Sequence, residues 1–171
     1  MKLIISPAKR MVEELDFLPP EDLPRFLDRA ETLRDRLAGL SLEELRALLG
    51  CNEQIAQLNH ARYARMDLRH RLTPAVFAYQ GLQYQYMAPK LFTYGQYGWL
   101  REHLRILSGL YGILRPFDGV TPYRLEMGAK YRPWGLNGLY AFWGDSLARA
   151  LTEEDGVGWT WPPGSTAGRS C

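Results

Sequence analysis

The chain has 171 residues, 46% hydrophobic, 12% aromatic and 23% charged, with a formal net charge of +2 at pH 7. That suits one globular domain with a real core and excludes collagen, coiled coil, a disulfide-rich miniprotein and wholesale disorder. No apolar run approaches membrane-spanning length, too few apolar residues precede Pro7 for a secretory leader, and Cys51 and Cys171 cannot build a disulfide framework. A cytosolic protein with reduced thiols is expected.

In chain order, Lys2–Ser6 is a short apolar run stopped by Pro7 and reads as a strand buried at the centre of the fold. Residues 11–21 read as an extended acidic loop. Leu23, Phe26, Leu27, Ala30, Leu33 and Leu37 recur at helical spacing up to Gly39. Ser41 and Glu44 have the spacing of a capping box, Gly50 suits a helix end, and Asn52 can cap the next helix. Residues 41–66 are thus a helix-hairpin-helix candidate within a helical arm over 22–66.

Beyond Pro74, Ala75–Tyr79 reads as a strand and Leu82–Met87 as a helical turn. A helix is expected over 94–103, strands over Ile106–Tyr111 and Tyr123–Met127, and a last helix from Leu139 to Leu151, weakened by Gly144. From Gly156 the sequence turns to Gly, Pro, Ser and Trp without period, and disorder is expected there. The fold class is α+β: a single mixed domain over 1–155 with a small central sheet.

Charge is unevenly spread. Residues 11–59 carry eleven Asp/Glu against five Arg, so the rest of the chain is strongly basic. Arg62, Arg65, Arg69 and Arg71 face only Asp67 within 60–71. An anionic partner on one side fits this pattern, and so does an ordinary solvated surface. Of 21 basic residues 17 are Arg, which suits phosphate but also follows from a GC-rich coding sequence.

Phosphate-loop and dinucleotide-binding glycine motifs are absent, and so is a nucleophile elbow. His60, His70 and His103 lack metal-ligand spacing, so neither metal nor cofactor is expected. Lys9, Arg115 and Arg124 are candidate phosphate ligands, with Asp118 and Glu126 to orient them or act as site carboxylates. Their alternative is an ion-pair network that only fixes turns. Tyr84, Tyr86, Tyr94 and Tyr97 read as core packing rather than a base-stacking platform.

Ile5-Ser-Pro-Ala-Lys9, Phe77-Ala-Tyr-Gln-Gly81, the long run His103–Asp118, Pro122-Tyr-Arg-Leu-Glu-Met-Gly128 and Phe142-Trp-Gly144 follow one another in order. This set resembles the YaaA peroxide-stress family from Met1 to about Leu151. The resemblance implies a cytosolic protein of the hydrogen peroxide response that keeps unincorporated iron low. It also implies an unusual α+β fold that binds double-stranded or structured DNA through a basic cleft and a helix-hairpin-helix element. Lys9, Arg62, Arg65, Arg115 and Arg124 are the expected DNA or phosphate ligands. Family members carry an acid at the position of Leu82, and a longer, Lys/Arg-rich C-terminal part. The tail from Trp159 reads like out-of-frame translation, so a truncated or frameshifted product is expected. Such a product would leave Phe77, Tyr79, Trp99 and Trp143 exposed. The alternative function is an enzyme acting on a phosphorylated or nucleic-acid substrate, with Lys9, Arg115 and Arg124 in one cleft and Asp118 or Glu126 as base.

Overall fold

The apolar triplet Leu3–Ile5 does form a strand, β1, but it lies at a sheet edge. In the computed structural model, which describes residues 1–155, Leu3 and Ile4 are exposed and only Ile5 is buried. The centre belongs to β5 (Leu104–Ser108), which pairs in parallel with β1 and antiparallel with β6 (Gly112–Leu114). The central-strand expectation for Lys2–Ser6 is therefore corrected. The run Leu104–Ser108 has buried side chains on both sides of the strand, as a two-faced core strand requires.

The helical arm forms as its local signals dictate. Helix α1 (Leu27–Ala38) buries Leu27, Ala30, Leu33 and Leu37 and starts after Pro24, so Leu23 stays outside it. Helix α2 (Leu42–Leu49) begins with the full capping box: Ser41 Oγ accepts from the Glu44 N–H at 3.2 Å, and Glu44 Oε2 from the Ser41 N–H at 2.8 Å. Gly50 closes it in the left-handed conformation. Asn52 Oδ1 accepts from the Ile55 N–H at 2.9 Å and opens α3 (Glu53–Arg65). Such caps are each worth about 1 kcal/mol.

The middle of the chain departs from its expected pattern. Ala75–Tyr79 is not a strand. The two-residue β3 (Thr73–Pro74) leads into a single helical turn, α4 (Ala75–Ala78), and then into β4 (Tyr79–Gln80). The turn forms because the N–H groups of Ala75 and Val76 donate to the carbonyls of Asp118 and Pro116 rather than to a neighbouring strand. β3 pairs with β7 (Gly119–Val120), and β4 with β2 (Arg10–Met11). Helices α5 (Leu82–Met87) and α6 (Tyr94–His103) follow as expected. Tyr84 and Tyr97 pack in the core, but Tyr86 and Tyr94 are almost fully exposed, which corrects their expected burial.

Residues 123–127 form no strand. Their backbone is held by other means: the Arg124 carbonyl accepts from Tyr63 Oη at 2.9 Å, and the Leu125 carbonyl packs onto Gly109. The expected last helix is split at Gly144, at φ 50°, into α7 (Leu139–Trp143) and α8 (Ser146–Asp155). Arg29 ties α1 to both. Its guanidinium lies 4.6 Å from the rings of Phe142 and Trp143 and donates to Ser146 Oγ at 2.7 Å. Arg105, itself buried, donates from Nε to Glu154 Oε2 at 2.5 Å and fixes α8 to the sheet.

One continuous core unites arm, sheet and C-terminal helices in an α+β domain. Phe77, Tyr79 and Trp143 belong to that core; of the four aromatics expected to be uncovered, only Trp99 is exposed. The expected change at Gly156 lies outside the described residues.

Candidate nucleic-acid interface

Helix α3 presents two faces at helical spacing. Ala56, Asn59 and Tyr63 are buried, while Leu58, Ala61, Arg62 and Arg65 line a groove of about 720 Å³. The opposite wall comes from residues 11–13 and from Thr121-Pro122, and one end from Asp67, His70 and Arg71. Arg71 is held at φ 52°, a conformation that costs a non-glycine residue on the order of 1 kcal/mol.

Pairing separates the charges in this groove. His70 Nδ1 lies 2.8 Å from Asp67 Oδ2, and the Arg71 guanidinium lies 2.9 Å from Glu13 Oε1. Asp67 is drawn below the usual carboxylate range, first by the Arg69 backbone N–H and then by His70. Among the described residues, Arg62 and Arg65 have no carboxylate within ion-pair distance. Arg62 has only Asn59 Oδ1, at 3.5 Å. Burial draws the Arg62 guanidinium down from its ordinary value, yet arginine stays charged at any physiological pH. A half-desolvated, unpaired guanidinium gains more from an incoming phosphate than a solvated one.

Two carboxylates, Glu13 and Asp67, line the groove with Arg62, Arg65 and Arg71, and both are engaged by other side chains. Glu13, Glu14 and Glu21 engage Arg71, Lys90 and Arg101. They neutralise cations of remote segments and leave Arg62 and Arg65 without acidic partners.

A second, smaller cleft of about 250 Å³ is walled by the chain next to residues 11–13 and 121–122 of the groove. Pro7-Ala8-Lys9 forms one wall and Tyr123–Gly128 the other. Lys9 Nζ lies 3.2 Å from Glu126 Oε1, and the Arg124 guanidinium lies 3.9 Å from the same oxygen. Arg124 Nε is buried without a hydrogen-bond partner among the described residues. Beneath this cleft, Tyr123 Oη sits 2.5 Å from Ser108 Oγ and 2.7 Å from Tyr79 Oη, and Tyr84 Oη donates to the Ser6 carbonyl at 2.8 Å. Burial pushes the Tyr123 phenol up to about 12, so it stays protonated within this hydroxyl cluster. This buried hydroxyl cluster fixes the backbone on both sides of the cleft. Spacing does not reveal the cluster, since Tyr79, Ser108 and Tyr123 come from separate parts of the chain.

Arg115 stands apart from these residues. β6 runs back along β5, so Arg115 leaves the sheet at the end where β1 and β5 begin, whereas Lys9 follows the other end of β1. Its Nε lies 3.8 Å from Glu154 Oε1. Asp118 is buried and accepts from the Arg115 N–H at 2.8 Å. Burial pushes its carboxyl up to about 7, against the opposing pull of that hydrogen bond and of Arg115. The candidate residues thus fall into three places: Arg62 and Arg65 in the groove, Lys9, Arg124 and Glu126 in the small cleft, and Arg115 and Asp118 beyond the sheet. The expectation that Ser6–Lys9, all of Ser108–Asp118 and Tyr123–Glu126 converge holds for the first, the last and the Ser108–Tyr111 end of the middle one.

The structure is an α+β domain with a helical arm, a small mixed sheet and a groove along one arm helix. The model of the family "Peroxide stress protein YaaA" matches residues 1–160, and the chain belongs to that family. A UPF0246 protein of Desulfitobacterium hafniense is 52% identical over 155 residues, covering 91% of this chain and 62% of the relative. UPF0246 proteins of Lachnoclostridium phytofermentans and Agathobacter rectalis are 50% and 46% identical, covering 90% and 92% of this chain and 60% and 63% of theirs. The chain spans about three fifths of the length of these relatives. Among the described residues no helix is long and apolar enough to cross a membrane.

Proposed function

We propose that the chain acts in the peroxide-stress response by binding double-stranded DNA through the phosphate backbone. The observation that carries this reading is the pair Arg62 and Arg65, on one face of α3, lining a groove with no carboxylate partner of their own. Contacts of this kind hold a duplex without reading its bases. The hairpin of α2 and α3, joined by Gly50-Cys51-Asn52, supports the reading because it positions the arginine-bearing helix rigidly against the core. DNA covered in this way is less exposed to iron-driven oxidation at its surface. Limitation of unincorporated iron, implied by the family resemblance, is proposed for the whole-length protein, with DNA binding as this part's contribution.

The test is binding of the purified chain to two duplexes of equal length and unrelated sequence. Equal affinity for both, weakened to the same extent by Arg62→Ala, supports the reading. Absence of binding to either, or a strong preference for one, contradicts it.

A further inference from the structure

We propose that the small cleft between Lys9 and Arg124 is a phosphate-monoester site, and that Glu126 occupies it as an internal competitor. One Glu126 oxygen faces both the Lys9 ammonium, at 3.2 Å, and the Arg124 guanidinium, at 3.9 Å. Two cations converging on one carboxylate oxygen offer the arrangement that a phosphate oxygen takes up. Arg124 is also left short of partners: its Nε is buried and makes no hydrogen bond among the described residues. The cleft, about 250 Å³, has room for a phosphate and an attached sugar-sized group but not for a duplex.

Charge decides which phosphate enters. An internal phosphodiester carries one negative charge, the same as the carboxylate that it must displace, so the exchange brings no gain. A monoester carries roughly −1.5 to −2 at pH 7 and outcompetes the carboxylate for the same two cations. Lys9 and Glu126 are both exposed at about half or more of their side chains, so the carboxylate can swing out without unpacking the core. One wall of the groove of Arg62 and Arg65, residues 11–13 and 121–122, continues the two chain segments that line the cleft. In the nucleic-acid setting, which rests on the DNA reading above, the cleft takes the phosphorylated end of a strand whose duplex lies in the groove.

The experiment has two arms. In the first, the chain is titrated with phenyl phosphate, a monoester, and dimethyl phosphate, a diester. In the second it is titrated with one duplex bearing phosphorylated ends or hydroxyl ends. One additional charge at this separation is worth about fivefold in affinity, so the monoester and the phosphorylated duplex bind at least that much more tightly. Lys9→Ala abolishes both preferences. Glu126→Gln removes the competitor, so both esters and both duplexes gain affinity, while the preference, set by ligand charge on the same two cations, remains. Both substitutions are at exposed side chains, and unchanged far-ultraviolet dichroism confirms that each variant is folded. Monoester binding without any duplex binding overturns the DNA reading and keeps this site. Duplex binding indifferent to its ends, with equal affinity for the two small esters, overturns this site and keeps the DNA reading. A monoester preference that survives Lys9→Ala overturns the assignment to this cleft.

Discussion

Tyr63 and Arg124 are joined by a hydrogen bond from the Tyr63 phenol to the Arg124 carbonyl, at 2.9 Å across 61 residues of chain. That bond seats helix α3 against the segment that carries Arg124 and Glu126. It therefore sets the groove and the small cleft side by side. Burial raises the Tyr63 phenol well above its ordinary value, so the donor is present at every physiological pH. Tyr63→Phe leaves the Arg124 carbonyl without this partner and costs about 1–3 kcal/mol if the site stays dry. Denaturant unfolding measures the loss, and an unchanged midpoint contradicts the role given to the bond.

Asp118 makes stability depend on pH in the direction opposite to most carboxylates. Its folded value is about 7 against an ordinary 3.8 because burial disfavours the anion, and Asp22 nearby adds to that. The folded state thus holds the proton more tightly than the unfolded state. Its stabilising contribution is complete below about pH 4 and is lost as pH rises to about 7, by on the order of 4 kcal/mol as an upper bound. Asp118→Asn retains an oxygen for the Arg115 N–H and has no charge to bury. The variant should melt higher than the parent at pH 8 and show a flatter profile between pH 5 and 8. Parallel melting curves for the two proteins would contradict this.

Gly109 is a site of close approach rather than of special backbone. A Cβ placed there would stand 2.3 Å from the Leu125 carbonyl oxygen, too close for any side chain. Gly109→Ala must push the segment between Arg124 and Glu126 outward, at a cost of about 1–3 kcal/mol. Thermal unfolding and phenyl phosphate binding should both weaken. A variant with parental stability and binding would show that the segment moves freely.

The parts of this fold legible in the sequence are those set by neighbours in the chain. The Ser41–Glu44 capping box, the Asn52 cap and the buried stripe of α1 each depend on residues within a few positions. Ala75–Tyr79 was illegible because its N–H groups find carbonyls of Pro116 and Asp118, some forty residues away. Tyr123–Met127 alternates like a strand, yet side-chain donors and a glycine contact take the place of a ladder. The candidate site divides in the same way. Arg62 and Arg65 share a helix face that spacing reveals, while the pairing of Lys9 with Glu126 comes from chain segments that only the fold brings together. Arg115 was grouped with them because it is close to Ser108 in sequence. The reversal of β6 along β5 carries it to the far end of the sheet.

That separation gives a control. Arg115→Ala removes an exposed guanidinium 3.8 Å from Glu154, outside both the groove and the cleft. Stability should fall by less than about 1 kcal/mol, as for other exposed pairs, and duplex affinity should remain at the parental level. A loss of DNA binding comparable to that of Arg62→Ala would bring Arg115 back into the interface.

The central claim is that the duplex is held by phosphate contacts from the α3 arginines. It is tested most directly by measuring duplex affinity over a series of salt concentrations for the parent and for Arg62→Ala/Arg65→Ala. The parent should lose affinity steeply as salt rises, and the double variant should show a logarithmic slope shallower by about 1 for each arginine removed. Salt-independent binding by the parent, or identical slopes for the two proteins, would contradict the account.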